Sequence, residues 1–377
     1  MEFLNVLLLA VLLLGACSKA DESPMTEEET PKENPSFFRG GDLSYVNEML
    51  DCGAQYLDET GTKKDPYQIF QEAGTNLIRV RLWHNPDWTA YSTLEDVKKT
   101  ISRAKALQIP VLLDFHYSDD WADPAKQKVP AAWLPVVNNT SVLGDSLYNY
   151  TFQVLKQLND AGLLPEYVQV GNETNAEILQ DPNKTYNSID WTRNAFLFNR
   201  GLQAVRDAAQ TFGVDIQSML HIAQPENALW WFAVAQQNGI TNYDWIGISY
   251  YPLWSDYAME NLPTAIRTLT TTYGKRLMVV ETAYPFTLQN NDSANNILGQ
   301  DAAVAGFPIS EQGQFDYLKA LEKKIVDGGG EGLIYWEPAW VSTSCSTQWG
   351  QGSHWDNATL FDHNNRANQG MQYYKGE

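Results

Sequence analysis

The chain has 377 residues, 44% of them hydrophobic and 12% aromatic, with 13 Trp and 19 Tyr. That is apolar enough for a large core, and a chain this rich in Trp lines clefts with indoles as well as packing them inside. The formal net charge of −20 repels nucleic acid, anionic membrane surfaces and polyanionic substrates at long range, so a neutral polymer fits better.

Leu7–Leu14 is an apolar run too short to cross a bilayer. It leads into Leu14-Gly15-Ala16-Cys17, small residues before a Cys, the processing pattern of a bacterial lipoprotein. Residues 1–17 are therefore expected to be a signal peptide with Cys17 lipidated, although the leading MEFLN has no Lys or Arg. Residues 18–35 carry Asp21, Glu22, Glu27, Glu28, Glu29 and Glu33 among almost no apolar residues. They cannot bury a core and are expected to form a disordered acidic tether. Lys19-Ala20-Asp21-Glu22 is similar to the export signal of some surface lipoproteins. The expected location is the outer membrane, facing the cell surface, with the periplasmic side as the alternative.

From residue 36 the pattern alternates. Strands are predicted at Phe37–Leu43, Asn76–Leu82, Val111–Phe115, Tyr167–Val170, Met219–Ala223, Trp245–Ser249, Leu277–Val280 and Gly332–Tyr335. Between them run helical stripes: Val97, Ile101, Ala104 and Leu107; Tyr150, Val154 and Leu158; Phe196, Leu202, Val205 and Ala209; Leu318, Leu321 and Ile325. Eight strands alternating with helices over residues 36–377 predict a single α/β domain, a (β/α)8 TIM barrel with elongated loops after the strands. Cys52 follows the first strand and Cys345 the last, neighbours in a closed barrel. The pair is open between a disulfide and two separate thiols.

Barrel enzymes place catalytic groups where the strands end. The fourth strand ends in Gly171-Asn172-Glu173 and the seventh in Glu281. Three strand–helix units fit between them, at roughly 30–40 residues per unit, which puts two carboxylates across one pocket. That is the minimum equipment for cleaving a glycosidic bond. In the second strand Arg79 and Arg81 alternate onto one face. If that face is inward, Arg81 lies nearer the active end and can hold a catalytic carboxylate ionised. The third strand runs into Asp114-Phe115-His116-Tyr117-Ser118-Asp119-Asp120-Trp121, read as contacts to sugar hydroxyls. The fifth offers His221 and Gln224, the sixth Tyr250, Tyr251 and Trp254, and the eighth Trp336, Glu337 and Trp340. Glu337 is a third carboxylate, read as a loop-shaping residue.

Several blocks in this order resemble glycoside hydrolase family 53, the endo-β-1,4-galactanases. They are Phe38–Ser44, Arg79–Trp83, DFHYSDDWADP (114–124), Pro130–Trp133, VQVGNETN (168–175), ISYYPLW (248–254), VVETAYP (279–285), IYWEPAW (334–340) and Thr359–Asp362. The resemblance implies retaining hydrolysis of β-1,4-galactan, including type I arabinogalactan side chains of pectin. Glu173 would be the acid/base and Glu281 the nucleophile. Asn172 is expected toward the sugar 2-hydroxyl, Arg81 and Tyr251 (or Tyr250) toward Glu281, and His116 or His221 toward the subsites. Asp42, Asp119, Trp83, Trp121, Trp254, Trp336 and Trp340 complete the expected substrate contacts. No catalytic cofactor is implied. Bacterial members can carry a structural calcium after strand seven, where Asp292 and Asn296 stand among Asn residues; one carboxylate there makes a poor site. A monomer is expected. Two other readings share these features: another β-1,4-glycanase of the same clan, and a surface lipoprotein that binds glycan without cutting it. An exo-acting galactosidase with one end of its cleft blocked is a third.

Overall fold

The computed structural model describes residues 36–376. Cys17, the apolar run before it and the acidic stretch 18–35 lie outside the described residues. Eight strands close into a parallel barrel: β1 (Phe38–Asp42), β2 (Leu77–Leu82), β3 (Val111–Phe115), β4 (Tyr167–Val170), β5 (Gln217–Ala223), β6 (Trp245–Ser249), β7 (Arg276–Glu281) and β8 (Gly332–Tyr335). Each pairs with its chain neighbour, and β8 closes on β1 with Phe38 opposite Gly332. The helices between them are α1 (Val46–Asp51), α2 (Pro66–Ala73), α3 (Leu94–Ala106), α4 (Thr140–Asp160), α5 (Trp191–Phe212), α6 (Pro225–Gln237), α7 (Leu262–Tyr273) and α8 (Glu311–Gly328). This is the predicted (β/α)8 architecture. Among the described residues no helix is long and apolar enough to cross a membrane.

Local chemistry sets the elements. In α3 Val97, Thr100, Ile101 and Ala104 recur at helical spacing and are buried against the barrel, the stripe an amphipathic helix needs. Thr93, Asn139, Asp190 and Ser310 each accept a backbone N–H at the start of α3, α4, α5 and α8, caps that contribute about 1 kcal/mol apiece. One stripe departs from expectation: Phe196 of α5 is 40% exposed, because Leu197 and Phe198 take the buried face.

The strands are buried on both faces. In β2, Ile78, Val80 and Leu82 point out into the layer beneath the helices, while Leu77 points in. Leu77, Phe38, Leu112, Tyr167, Met219, Trp245, Met278, Val280 and Ile334 form a separate apolar plug inside the barrel. Alternation then sends Arg79 and Arg81 inward above that plug, one layer apart. Arg79 stands in register with Asp42, and Arg81 with Asp114. The plug leaves no room for a pore, so chemistry is confined to the mouth where the strands end.

Cys52, directly after α1, and Cys345, in the loop after β8, form a disulfide with Cα atoms 5.7 Å apart. It resolves the open choice between a bridge and two thiols. The bridge ties the stem of a small hairpin, Ser346–Thr347 paired with Gly350–Gln351, to the first βα unit.

Candidate active site

Glu173 follows β4 in a tight reversal. Gly171 has φ +89° and Glu173 itself φ +44°, a left-handed conformation that costs a non-glycine residue and persists only where its surroundings enforce it. The side-chain amide of Gln127 does part of that, donating to the carbonyl of Asn172 at 2.9 Å. Glu281 ends β7 beside a bulge, where the β6–β7 register slips between Ile248 and Ser249 so that Ser249 pairs with Glu281. Bulges of this kind re-aim a side chain. One oxygen of each glutamate and a ring nitrogen of His221 lie within 4.8 Å of one another.

The two carboxyls differ in their partners. Burial pushes both above the ordinary carboxylate range, Glu173 to about 7. At Glu281 that push is opposed by Arg79, whose Nη1 is 2.8 Å from Oε1, and by the Tyr251 hydroxyl, which donates to Oε2 at 3.4 Å. Among the described residues no cation pairs with Glu173. It accepts instead the Ser249 hydroxyl at 2.6 Å. Two carboxylates this close do not both ionise in a dry site. The pair holds one proton, and the member without a cation takes it.

Behind the pair lies a fully connected polar layer. Arg79 is buried and donates to Asp42 at 2.9 Å, Asp114 at 2.8 Å and Asn172 Oδ1 at 2.7 Å, as well as to Glu281. Asn172 uses one N–H on the carbonyl of Ala122 at 2.9 Å, leaving the other for a ligand hydroxyl. His221 accepts at Nδ1 from the Gln169 amide and the Glu173 backbone N–H, and donates from Nε2 to Ser249 Oγ at 2.9 Å. The relay His221–Ser249–Glu173 therefore runs in one direction with a neutral imidazole. Burial first, and then Arg79, hold that imidazole well below its ordinary pKa. With both ring nitrogens engaged, His221 is not a free metal ligand, although it stands with Glu173 and Glu281.

The cleft above has a volume of about 990 Å³, at the upper end for ligand sites. Asn172, Glu173, Glu281 and Tyr251 sit on its floor. Trp121, Trp254, Trp336 and Trp340 line its walls, as do Trp349 and Trp355, which the sequence reading missed. Both missed indoles lie in the stretch QWGQGSHWD (348–356), where two Trp among polar and Gly residues were the available signal. Asp114, read with its loop toward sugar hydroxyls, is instead buried and pairs with Arg79 and His116, and Ser249, at a strand end within the quoted blocks, was given no role at the site.

Several expectations are corrected. Arg79, not Arg81, holds Glu281. Alternation turned both inward, but Arg81 lies one layer higher, where β1 and β8 have ended, and meets Glu337 at 3.0 Å. Glu337 is buried against Arg81 and the Tyr45 N–H and takes no place on the cleft floor. Trp83 is buried behind Arg81, its ring centre 4.8 Å from the guanidinium carbon, and does not line the cleft. Asp42, His116 and His221 are likewise buried. Asp42 pairs with Arg79, and His116 donates to Asp114 at 3.1 Å while accepting the Ala122 N–H. Asp119 clamps loops, accepting N–H groups from Asn85 at 2.9 Å and Ala131 at 2.7 Å. Of the two tyrosines, Tyr251 reaches Glu281, whereas the Tyr250 hydroxyl donates to the carbonyl of Tyr257 at 3.0 Å.

The stretch after β7 does not fit calcium. Asp292 accepts backbone N–H groups from Ala294 at 2.7 Å and Ser353 at 2.8 Å. The Asn296 amide donates to Asp356 at 2.6 Å, and the Asn291 N–H to the other Asp356 oxygen at 2.9 Å. The carboxylate oxygens that a hard cation needs face hydrogens, and those hydrogen bonds themselves join the loops after β7 and β8.

A family model described as glycosyl hydrolase family 53 matches residues 38–374. The chain is 54% identical over 337 residues to an arabinogalactan endo-beta-1,4-galactanase of Cellvibrio japonicus, covering 89% of each chain. It is 32% identical to an endo-beta-1,4-galactanase of Bacillus subtilis, over 91% of this chain and 86% of that one. The catalytic domain of an Ignisphaera aggregans family 53 protein superposes with a TM-score of 0.81 at 32% identity, over 91% of this chain and 97% of that one. With the family's blocks matched along the barrel and its two strand-end glutamates facing each other, the chain belongs to glycosyl hydrolase family 53.

Proposed function

We propose that the protein hydrolyses β-1,4-galactosidic bonds within galactan, including the galactan side chains of type I arabinogalactan, by double displacement with retention. The observation that carries the stereochemistry is the approach of Glu173 and Glu281 oxygens to within 4.8 Å. A retaining pair needs carboxyl groups about 5–5.5 Å apart, whereas an inverting pair leaves room for water at about 6.5–9.5 Å. Protonated Glu173 donates to the leaving glycosidic oxygen while Glu281 attacks the anomeric carbon, so the C–O bond to the leaving sugar breaks as the glycosyl–Glu281 ester forms. Glu173, now a carboxylate, removes a proton from water. The water oxygen displaces Glu281 from the anomeric carbon, and both carboxyls return to their starting states. Arg79 keeps Glu281 ionised for the first step and stabilises it as leaving group in the second. The family and its named relatives support galactan over glucan, mannan or xylan. The intact acid and nucleophile argue against a binder that does not cut.

Digestion of unbranched β-1,4-galactan by the fragment from Asn34 onward tests this reading, with products resolved by size over time. Early mixed short galacto-oligosaccharides are expected, each first released as the β-anomer by NMR. Monosaccharide alone, an α-anomer, or cleavage confined to another polymer would overturn it. We further infer that the enzyme acts as a monomer tethered through lipidated Cys17 at the outer membrane. The support is the Leu-Gly-Ala-Cys pattern and the acidic stretch behind it. A Cys17→Ser protein that still fractionates with the outer membrane would contradict the anchor.

A further inference from the structure

Arg81 and Glu337 are a buried ion pair that the chemistry above does not use. Arg81 Nη1 lies 3.0 Å from Glu337, and its Nε donates to Ser92 at 2.9 Å. The rest of the guanidinium is packed in aromatics: its carbon is 4.2 Å from the Trp121 ring centre, 4.7 Å from Tyr45 and 4.8 Å from Trp83. Trp121 lines the cleft. Tyr45 in turn stacks on Trp340, ring centres 4.1 Å apart and planes 13° from parallel, and Trp340 also lines the cleft. Among the described residues neither the Trp121 nor the Trp340 indole N–H has a hydrogen-bond partner. Packing alone orients both rings. For Trp121 the nearest partner of this kind is the guanidinium, 4.2 Å from the ring centre. Glu337, at φ +47° between Trp336 and Trp340 in the chain, fixes that guanidinium and accepts the Tyr45 N–H at 3.2 Å.

We infer that the Arg81–Glu337 pair positions one aromatic wall of the cleft, setting the tilt of Trp121 directly and of Trp340 through Tyr45. The pair thereby governs affinity for galactosyl units beyond the bond being cut. Both are positioning residues and touch no reacting atom. The inference rests on the proposed galactanase activity. A cation held against an indole out of water is worth enough to change binding about tenfold, and a planar guanidinium can stack on aromatic faces where a lysine ammonium offers only a point charge.

The test compares Arg81→Met, Arg81→Lys, Glu337→Gln and Trp121→Ala by KM and kcat on linear galactan, with thermal melts alongside. Arg81→Met and Glu337→Gln are expected to raise KM about tenfold while kcat falls by less than about threefold. Arg81→Lys restores charge without a plane: it should recover most of the lost melting temperature but little of the KM. In a Trp121→Ala background, Arg81→Lys should add less than about twofold to KM, since the ring it contacts directly is gone and only the indirect path through Tyr45 to Trp340 remains. Recovery of KM by Arg81→Lys, full multiplication of the Arg81 and Trp121 effects, or a loss confined to kcat would each overturn the inference. If Arg81→Met does not fold, the Lys variant and its double mutant decide alone. A wild-type enzyme inactive on galactan would instead remove the proposed function.

Discussion

Glu173 and Glu281 are the same side chain at equivalent places on two strands, yet their surroundings differ in the way the proposed acid and nucleophile require. Arg79 explains the difference at Glu281. At Glu173 burial raises the pKa, while the hydroxyl of Ser249, donating at 2.6 Å, and then the nearby charge of Arg79 favour the ionised form and lower it. The balance is about 7. With Glu173 as the proposed acid, kcat/KM is lost as pH rises through that value; with Glu281 as the proposed nucleophile, which must be ionised, it falls again on the acid side, so the profile is a bell whose basic limb belongs to Glu173. Replacing Ser249 by Ala removes one lowering influence, and the basic limb should move to higher pH. The rate–pH profiles of the two proteins check this, and a limb that stays in place or moves down would refute the assignment. Glu173→Ala provides the control. It should cost about 10²–10⁴-fold on galactan and lose the limb altogether when azide replaces the acid-assisted water.

At the scale of elements, the strands were legible because parallel barrel strands bury both faces and read as apolar runs ending in polar groups. Glu173 and Glu281 could be found because a charge at such an end stands out. The choice between Arg79 and Arg81 could not be made that way. Alternation fixes the face, but strand tilt and shear fix the layer, and these are properties of the closed barrel. The same holds for Trp83, whose neighbour Trp121 reaches the cleft while Trp83 fills the space behind Arg81. Loop geometry was the least legible. The hairpin after β8 puts Trp349 against Trp121 and Trp88, with ring centres 5.9 Å and 6.0 Å away, through contacts distant in sequence. The Cys52–Cys345 bridge holds the stem of that hairpin across 293 residues of chain. Replacing both cysteines by Ser should cost about 2–4 kcal/mol of stability, because the bridge closes a long loop in the unfolded chain. It should also raise KM for long galactan by loosening Trp349. Thermal melts and Michaelis curves test both, and an unchanged melting temperature would show the bridge to be incidental.

Across the whole molecule, 46 acidic residues against 26 basic ones leave the net charge at −20. In the core Arg79 meets Asp42, Asp114 and Glu281, and Arg81 meets Glu337. At the cleft rim Lys126 is already paired with Asp120. Galactan itself is neutral, so the protein's field does not act on the polymer it cuts. Where galactan is a side chain on a polyuronate backbone, the same field repels the carrier. Such repulsion acts on encounter, not on the chemical step, and extends over a screening length of about 30 Å at 0.01 M salt but only about 8 Å at 0.15 M. Raising salt across that range should therefore increase kcat/KM on galactan still attached to its acidic backbone. The value on free galactan should stay within about twofold, since an uncharged substrate feels no steering. Parallel initial-rate series on the two substrates measure the difference. Equal salt responses would mean that the surface charge plays no part in how the enzyme reaches its polymer, and that the acidic surface serves solubility alone.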